Sequence, residues 1–275
     1  MASMHLGVAG APQQDLELAE VKDHLLAKRD LPGIVGKVIR QAFDEVIDGS
    51  RTGRYSIDQL EKTEKTYIGT KVEIILRAEL GLSRGTVLDN VIAGHQVDTK
   101  FTLGKSWMIP PEAFGRICLL VTGNDSSGQC GIGLLRMTPG VLTGGANRDG
   151  KKSVSAHGKA QIRWLAEGRM PPNFMLDLPP DIRERILTSA SGREAIRILF
   201  ESVTGRLIPR SVIEQVAQQK DPLKRAREAK EVLAQKGIRV LCATYKSDRD
   251  EFPKYGFQEF ADDDWLSVRA PQAGR

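Results

Sequence analysis

The stretch Val87-Leu88-Asp89-Asn90-Val91-Ile92-Ala93-Gly94-His95-Gln96-Val97-Asp98-Thr99-Lys100-Phe101 decides the reading of this chain. Apart from its few polar residues it is apolar and β-branched, which is strand composition. Gly94-His95 fits a two-residue hairpin loop with glycine at the first central position, as a II′ turn requires. The strands on either side are then Val87–Ile92 and Gln96–Thr102. In the second strand Val97, Thr99 and Phe101 take one face while Asp98 and Lys100 take the other. A carboxylate and an amine therefore stand together, with the carboxylate of Asp89 on the partner strand. Upstream, Glu73 lies in an amphipathic stretch that reads as helix. Three acids and a lysine converging in this way can hold Mg²⁺ and activate water against a phosphodiester. The same spacing also suits a surface hairpin with a solvated salt bridge. The apolar neighbours Leu88, Val91, Val97 and Phe101 weigh against that reading, because they imply a half-buried hairpin.

Working outward, Asp15–Lys28 and Leu31–Ile47 carry apolar residues at helical spacing, with Pro32 near the start of the second. Asp48-Gly49-Ser50 punctuates, and Ile57–Leu80 reads as one or two helices ending at Gly81. After the hairpin come two further strand candidates, Ile117–Thr122 and Gly131–Met137. Helices followed by a small, mainly antiparallel sheet predict an α+β or mixed α/β catalytic domain over residues 1–168. Pro171-Pro172 and Pro179-Pro180 mark a break. Beyond it Arg193–Val203 and Arg210–Gln218 are amphipathic. Asp221-Pro222 caps a helix that carries Leu223, Ala226, Ala229 and Leu233 and ends at Gly237, and Ile238–Thr244 follows as a strand. That order predicts a winged helix-turn-helix domain over residues 175–275. Residues 151–237 hold 17 Lys and Arg against 10 Asp and Glu, so this half carries the positive excess.

Composition bounds the rest. The 275 residues suffice for one large domain or two ordinary ones, and the net charge of +5 is compatible with a polyanionic partner. No run is long and apolar enough for a transmembrane helix, and the first twenty residues lack a secretory pattern. The three cysteines, Cys118, Cys130 and Cys242, are odd in number and lack CxxC spacing, which points to a reducing cytoplasm. The four histidines, His5, His24, His95 and His157, show no metal spacing. The opening dozen residues read as frayed.

At this point the residues resemble a family. Asp48-Gly49-Ser50-Arg51-Thr52-Gly53-Arg54, Asp58-Gln59-Leu60-Glu61-Lys62-Thr63-Glu64-Lys65-Thr66, Gly69-Thr70-Lys71-Val72-Glu73-Ile74 and Trp107-Met108-Ile109-Pro110-Pro111-Glu112 look like the NaeI-type restriction endonucleases of the PD-(D/E)XK nuclease superfamily. Ala146-Asn147-Arg148-Asp149, Gly205-Arg206-Leu207-Ile208-Pro209-Arg210 and Val216-Ala217-Gln218-Gln219 extend the likeness, which fades after about Gly237. The resemblance implies a PD-(D/E)XK catalytic domain followed by a winged helix. It assigns catalysis to Glu73, Asp89, Asp98 and Lys100, and the metal to Asp89, Asp98, Thr99 and Glu73.

The expected activity is Mg²⁺-dependent hydrolysis of double-stranded DNA at a short site by a type II restriction endonuclease, leaving 5′-phosphate and 3′-hydroxyl ends, with Mn²⁺ able to substitute. A homodimer matches a palindromic duplex, and a second DNA copy is a further candidate partner. Trp107, Met108, Arg210, Lys224, Arg225, Arg227 and Lys230 are the expected DNA contacts. Core packing is the alternative for Trp107 and Met108, a solvated face for the α-helical cations. Glu64 reads either as an acid supporting the site or as part of a solvated Lys62–Glu64–Lys65 surface. Two other functions fit the same sequence. The first is a modification-dependent endonuclease of the BisI type, cutting sites that contain 5-methylcytosine. The second, from another class, is a non-catalytic winged-helix regulator.

Overall fold

A computed structural model describes residues 15–269. In chain order the first half comprises α1 (Leu16–Leu26), α2 (Leu31–Ile47), α3 (Gly49–Thr52), α4 (Lys62–Glu79), β1 (Ser83–Arg84), β2 (Asn90–Ile92), β3 (His95–Thr102), β4 (Met108–Ile109), β5 (Ile117–Asn124), β6 (Gln129–Arg136), β7 (Lys152–Ser153), α5 (Ala156–Ala160) and β8 (Arg163–Arg169). The second half comprises α6 (Pro180–Leu187), α7 (Gly192–Ser202), β9 (Leu207–Ile208), α8 (Arg210–Ala217), α9 (Pro222–Ala234), β10 (Ile238–Cys242), α10 (Lys246–Arg249) and β11 (Trp265–Arg269). His5 and the opening dozen residues lie outside the described residues.

Two compact units result. The first contains residues up to Ile39, Gly69–Asn124 and Gln129–Met170; the second contains Arg40–Ile68, Asp125–Gly128 and the chain from Pro171 onward. The sequence reading groups residues 40–68 with the N-terminal part. In the folded chain they pack within the second unit, where Gln218 Nε2 donates to the Gly49 carbonyl at 3.0 Å and Asn173 Nδ2 to that of Tyr55 at 2.8 Å. These are tertiary bonds between distant segments, which no local pattern announces.

The first unit is built on a mixed six-stranded sheet in the order β1-β2-β3-β5-β6-β8. Its one parallel pair is β3 with β5, registered Asp98 to Cys118 and Lys100 to Leu120. β5 is buried along nearly its whole length, as a central strand covered on both faces must be. The sequence reading missed β8, whose charged residues hide the alternation of an edge strand. Helix α1 begins where expected: the Asp15 carboxylate accepts from Leu18 N at 3.0 Å, an N-cap. The same carboxylate pairs with Arg136 of β6, and that guanidinium holds the Asp15 carboxyl below its ordinary range.

The second unit packs α6–α9 on a three-stranded sheet in the order β10-β11-β9. Its core includes Phe200, Leu199, Ile213, Leu233 and Trp265, with the Phe200 and Trp265 rings 5.8 Å apart. Asp221 caps α9 by accepting from Lys224 N at 2.9 Å, and Pro222 occupies the first helical position. Gly237 follows at φ +69°, where an L side chain is disfavoured. β11 was not legible from the sequence, because Asp262-Asp263-Asp264 immediately before it reads as a solvated loop.

Candidate active site

The β2–β3 hairpin differs from expectation by one residue. Asn90 pairs with Val97 and Ile92 with His95, so the loop is Ala93-Gly94. Both loop residues have positive φ, +51° and +85°, the signature of a type I′ turn. The type I′ turn suits the right-handed twist of the strands, and the register it sets lets Asn90 and Val97 share the buried side. His95 becomes the first residue of β3, and its Nε2 lies 2.6 Å from Glu20 Oε2.

The shift also moves Asp89 out of the strand. It stands one residue before β2, in an irregular segment, and its Oδ2 accepts the Thr99 main-chain N–H at 2.8 Å. Asp98 is only 3% exposed. Lys100 reaches back along the same strand face, its Nζ lying 2.8 Å from Asp98 Oδ1, 3.1 Å from the Thr99 carbonyl oxygen and 3.6 Å from Asp89 Oδ2. Cys118, opposite Asp98 on β5, places its Sγ 3.8 Å from Asp98 Oδ2. Three acidic or carbonyl oxygens thus surround one ammonium.

Burial governs the electrostatics. Desolvation pushes the Asp98 carboxyl up to about 7, although Lys100 pulls the other way and the nearby Asp89 adds to the rise. Burial disfavours the Lys100 ammonium, but the Asp98 carboxylate overrides it and raises the amine. Glu73, on α4, is raised by burial and by the charge of Asp89, while Arg77 opposes the rise.

Glu73 feels the Asp89 and Lys100 charges, but its hydrogen bond goes to a different cation. Its Oε1 accepts from Arg77 Nη2 at 2.6 Å, and Arg77 Nε donates to Asn90 Oδ1 at 2.8 Å. Asn90, buried beside the site, passes its Nδ2 to Thr99 Oγ1 at 2.8 Å. The Thr99 hydroxyl is engaged there, so only its carbonyl faces Lys100. Sequence reasoning missed Arg77 and Asn90. The available signals were an arginine one helical turn after Glu73 and an asparagine inside an apolar strand. A cleft of about 460 Å³ lies alongside, lined by Glu73, Arg77 and Asp89 together with Thr70, Ile74 and the segment Arg84–Leu88.

Among the described residues no three His, Cys, Asp or Glu side chains are close enough to hold a metal ion. Of the expected metal residues Asp89, Asp98, Thr99 and Glu73, the first three gather at the Lys100 ammonium. Glu73 is turned to Arg77, and the Lys100 ammonium stands where a cation would meet the other oxygens. Those oxygens, two carboxylate and one carbonyl, are hard donors of the kind Mg²⁺ takes.

The expected DNA contacts divide by exposure. Trp107 is 4% exposed and donates from Nε1 to the Val121 carbonyl at 2.9 Å, so it is core. Met108 is 40% exposed on β4, paired with β7. On α9, Lys224 and Arg227 are exposed, whereas Arg225 is paired with Glu228 at 2.8 Å. Lys230 is half-buried: its Nζ is 2.6 Å from Asp248 Oδ2 and 5.6 Å from the Trp265 ring. Its ammonium is committed to the sheet side of the helix. Arg210 pairs with Glu214 at 2.7 Å. Glu64 accepts from Glu61 N at 2.9 Å and from Arg54, closing the first turn of α4 rather than serving the acid–lysine set.

Two comparisons with known proteins bear on the chain as a whole. A family model described as Restriction endonuclease NaeI matches residues 21–275. The type II restriction enzyme NaeI of Lentzea aerocolonigenes is 42% identical over 216 residues, which cover 74% of this chain and 68% of that protein. The chain belongs to the NaeI family of restriction endonucleases. As a NaeI-family chain it is an enzyme of the type II restriction class, and the family match continues past Gly237, where the sequence reading saw the likeness fade. Among the described residues of this NaeI-family enzyme no helix is long and apolar enough to cross a membrane.

Proposed function

We propose that this enzyme hydrolyses phosphodiester bonds of double-stranded DNA at a short specific site, with Mg²⁺ as cofactor, leaving 5′-phosphate and 3′-hydroxyl ends. The observation that carries the reading is the Lys100 ammonium held by Asp98 Oδ1, the Thr99 carbonyl and Asp89 Oδ2. It is a ready-made cation position built from hard oxygens on one strand and the segment before its partner, as a PD-(D/E)XK site needs.

Asp89, Asp98 and the Thr99 carbonyl would hold the ion, and Glu73 would add a carboxylate from α4. When bound, Mg²⁺ would polarise a phosphoryl oxygen and lower the pKa of a coordinated water. Lys100 sits on a flexible four-carbon stem, so its ammonium can leave the carboxylates and face the phosphate. There it would offset the charge that develops on the pentavalent phosphorus and favour hydroxide in its vicinity.

The C-terminal unit is proposed as the winged-helix DNA-binding module. What supports this is the order α7, β9, α8, α9, β10, β11, with β11 between β10 and β9. Lys224 and Arg227 on α9 would meet phosphates. A homodimer is proposed because paired sites match the two strands of a palindrome.

Plasmid incubated with the protein and Mg²⁺ tests the reading, with mapped ends on methylated and unmethylated DNA giving the site and any dependence on 5-methylcytosine. Discrete double-strand cuts that vanish in EDTA and in Lys100→Ala are expected. Intact plasmid under every Mg²⁺ and Mn²⁺ condition would remove the proposal.

A further inference from the structure

The cleft beside the acid–lysine set contains a cation that the scheme above leaves unused. Arg77 lies one turn after Glu73 on the same helical face. A guanidinium carries five N–H donors in a rigid planar fork. In Arg77 the fork is fixed on two sides, Nη2 on Glu73 Oε1 at 2.6 Å and Nε on Asn90 Oδ1 at 2.8 Å. Asn90 is itself immobilised, 1% exposed and bonded to Thr99 Oγ1. An ion pair with Glu73 alone would need one nitrogen of the arginine. The second anchor sets the plane of the group, and it uses a buried amide to do so.

Nη1 is left over: among the described residues it has no protein acceptor. Arg77 nevertheless lines the cleft of about 460 Å³, together with Asp89 and the segment Arg84–Leu88. A cation pre-oriented at the wall of a cleft, with a free donor edge, matches a bidentate or single-point contact to a phosphate oxygen. Arg84 lines the same cleft and adds positive charge.

We propose that Arg77 is a phosphate-binding residue, its Nη1 donating to a non-bridging oxygen of a DNA phosphodiester seated in this cleft. Glu73 and Asn90 hold the guanidinium in place for that contact. The inference rests on the DNA-cleaving reading and adds to it a specific backbone subsite.

The test is a double-mutant cycle between protein and DNA, read as binding without divalent cation so that no cleavage competes. Duplexes carrying the mapped site receive one neutral methylphosphonate linkage at a time. The wild-type enzyme should lose about tenfold in affinity at one linkage near the cut, the scale of a charge-assisted hydrogen bond. Arg77→Gln should bind the natural duplex about tenfold more weakly and lose no more than about twofold further at that same linkage, because the two changes remove one contact. Arg77→Lys keeps a cation beside Glu73, so it maintains the local ion pair should Arg77→Gln unfold, and it should show the same coincidence. If the protein and DNA losses multiply at every linkage for both variants, or if both bind natural DNA like wild type, Arg77 touches no phosphate. A wild-type enzyme that binds no duplex at all would instead overturn the DNA reading on which this inference rests.

Discussion

The Thr99 main-chain N–H donates to Asp89 Oδ2 at 2.8 Å, so the carboxylate facing Lys100 also satisfies a β3 amide beyond the end of the β2 ladder. One side chain carries both a structural bond and a charge. Asp89→Asn retains an oxygen acceptor and should leave the melting temperature nearly unchanged. Asp89→Ala leaves that amide without its partner and should cost about 1 kcal/mol of stability. Both should lower single-turnover cleavage by roughly 10²-fold or more, the usual scale for a preorganised electrostatic group. Thermal melts and single-turnover rates on the same preparations separate the two roles. Near wild-type cleavage by Asp89→Asn would show that the charge is dispensable.

Asp98 makes a second prediction, in pH. Its carboxyl is raised by burial to about 7, above the ordinary aspartate value of 3.8. An acid whose folded pKa lies above its unfolded one binds more protons in the native state, so its contribution falls as pH rises through that window. The free enzyme should therefore lose stability between about pH 4 and 7 from this group, and Asp98→Asn should flatten the loss while abolishing cleavage. Measured Tm against pH for the two proteins checks it. A wild-type Tm that climbs across this window relative to Asp98→Asn contradicts the assignment.

How much was legible in the sequence follows from the range of the interactions involved. Helices α1, α2, α7, α8 and α9 were legible because apolar spacing is a local signal, and the ends of α9 were marked by Asp221 and Gly237, which act within one turn of their own helix. Asp98 and Lys100 were legible as neighbours because strand alternation alone puts them on one face. The pairing of Glu73 with Arg77 also lies within local reach, but Arg77 to Asn90 spans a helix and a strand, and no periodicity encodes it. For Trp107 the sequence leaves DNA contact and core packing open, and the choice is made by a tertiary bond, its indole N–H finding the Val121 carbonyl inside the core. For Lys230, helical spacing gives its position on α9 but not the Asp248 that pairs with it.

The hairpin turn supplies a third prediction. Ala93 holds φ +51°, a left-handed conformation that costs a residue with a Cβ about 1 kcal/mol. Asparagine tolerates that conformation and favours the first central position of a type I′ turn. Ala93→Asn should raise stability by about 0.5–1 kcal/mol and leave cleavage unchanged, since the register and the acid–lysine set remain. A chemical denaturation curve with an unchanged midpoint would argue that the loop is Gly94-His95 after all, with Ala93 in ordinary strand geometry.

The last prediction separates the cations of α9. Lys224 and Arg227 are exposed, while the Lys230 ammonium bonds Asp248 at 2.6 Å, and that carboxylate also accepts from Cys242 N at 2.9 Å. Lys230 thus ties α9 to the start of α10 and the end of β10. If α9 lies against duplex DNA, removing Lys224 or Arg227 should weaken binding to all sequences alike and flatten the log K against log salt slope by about 0.9 per lost phosphate contact. Lys230→Ala should act differently. It leaves Asp248 half-buried without its cation, so it should lower the melting temperature by a few degrees, as about 1 kcal/mol does in a domain of this size. Its salt slope should match wild type. Salt titrations and melts of the three alanine variants make the comparison. A flattened slope for Lys230→Ala with unchanged Tm would place its ammonium on DNA and make the Asp248 pair dispensable, and unchanged slopes for Lys224→Ala and Arg227→Ala would remove α9 from the DNA interface.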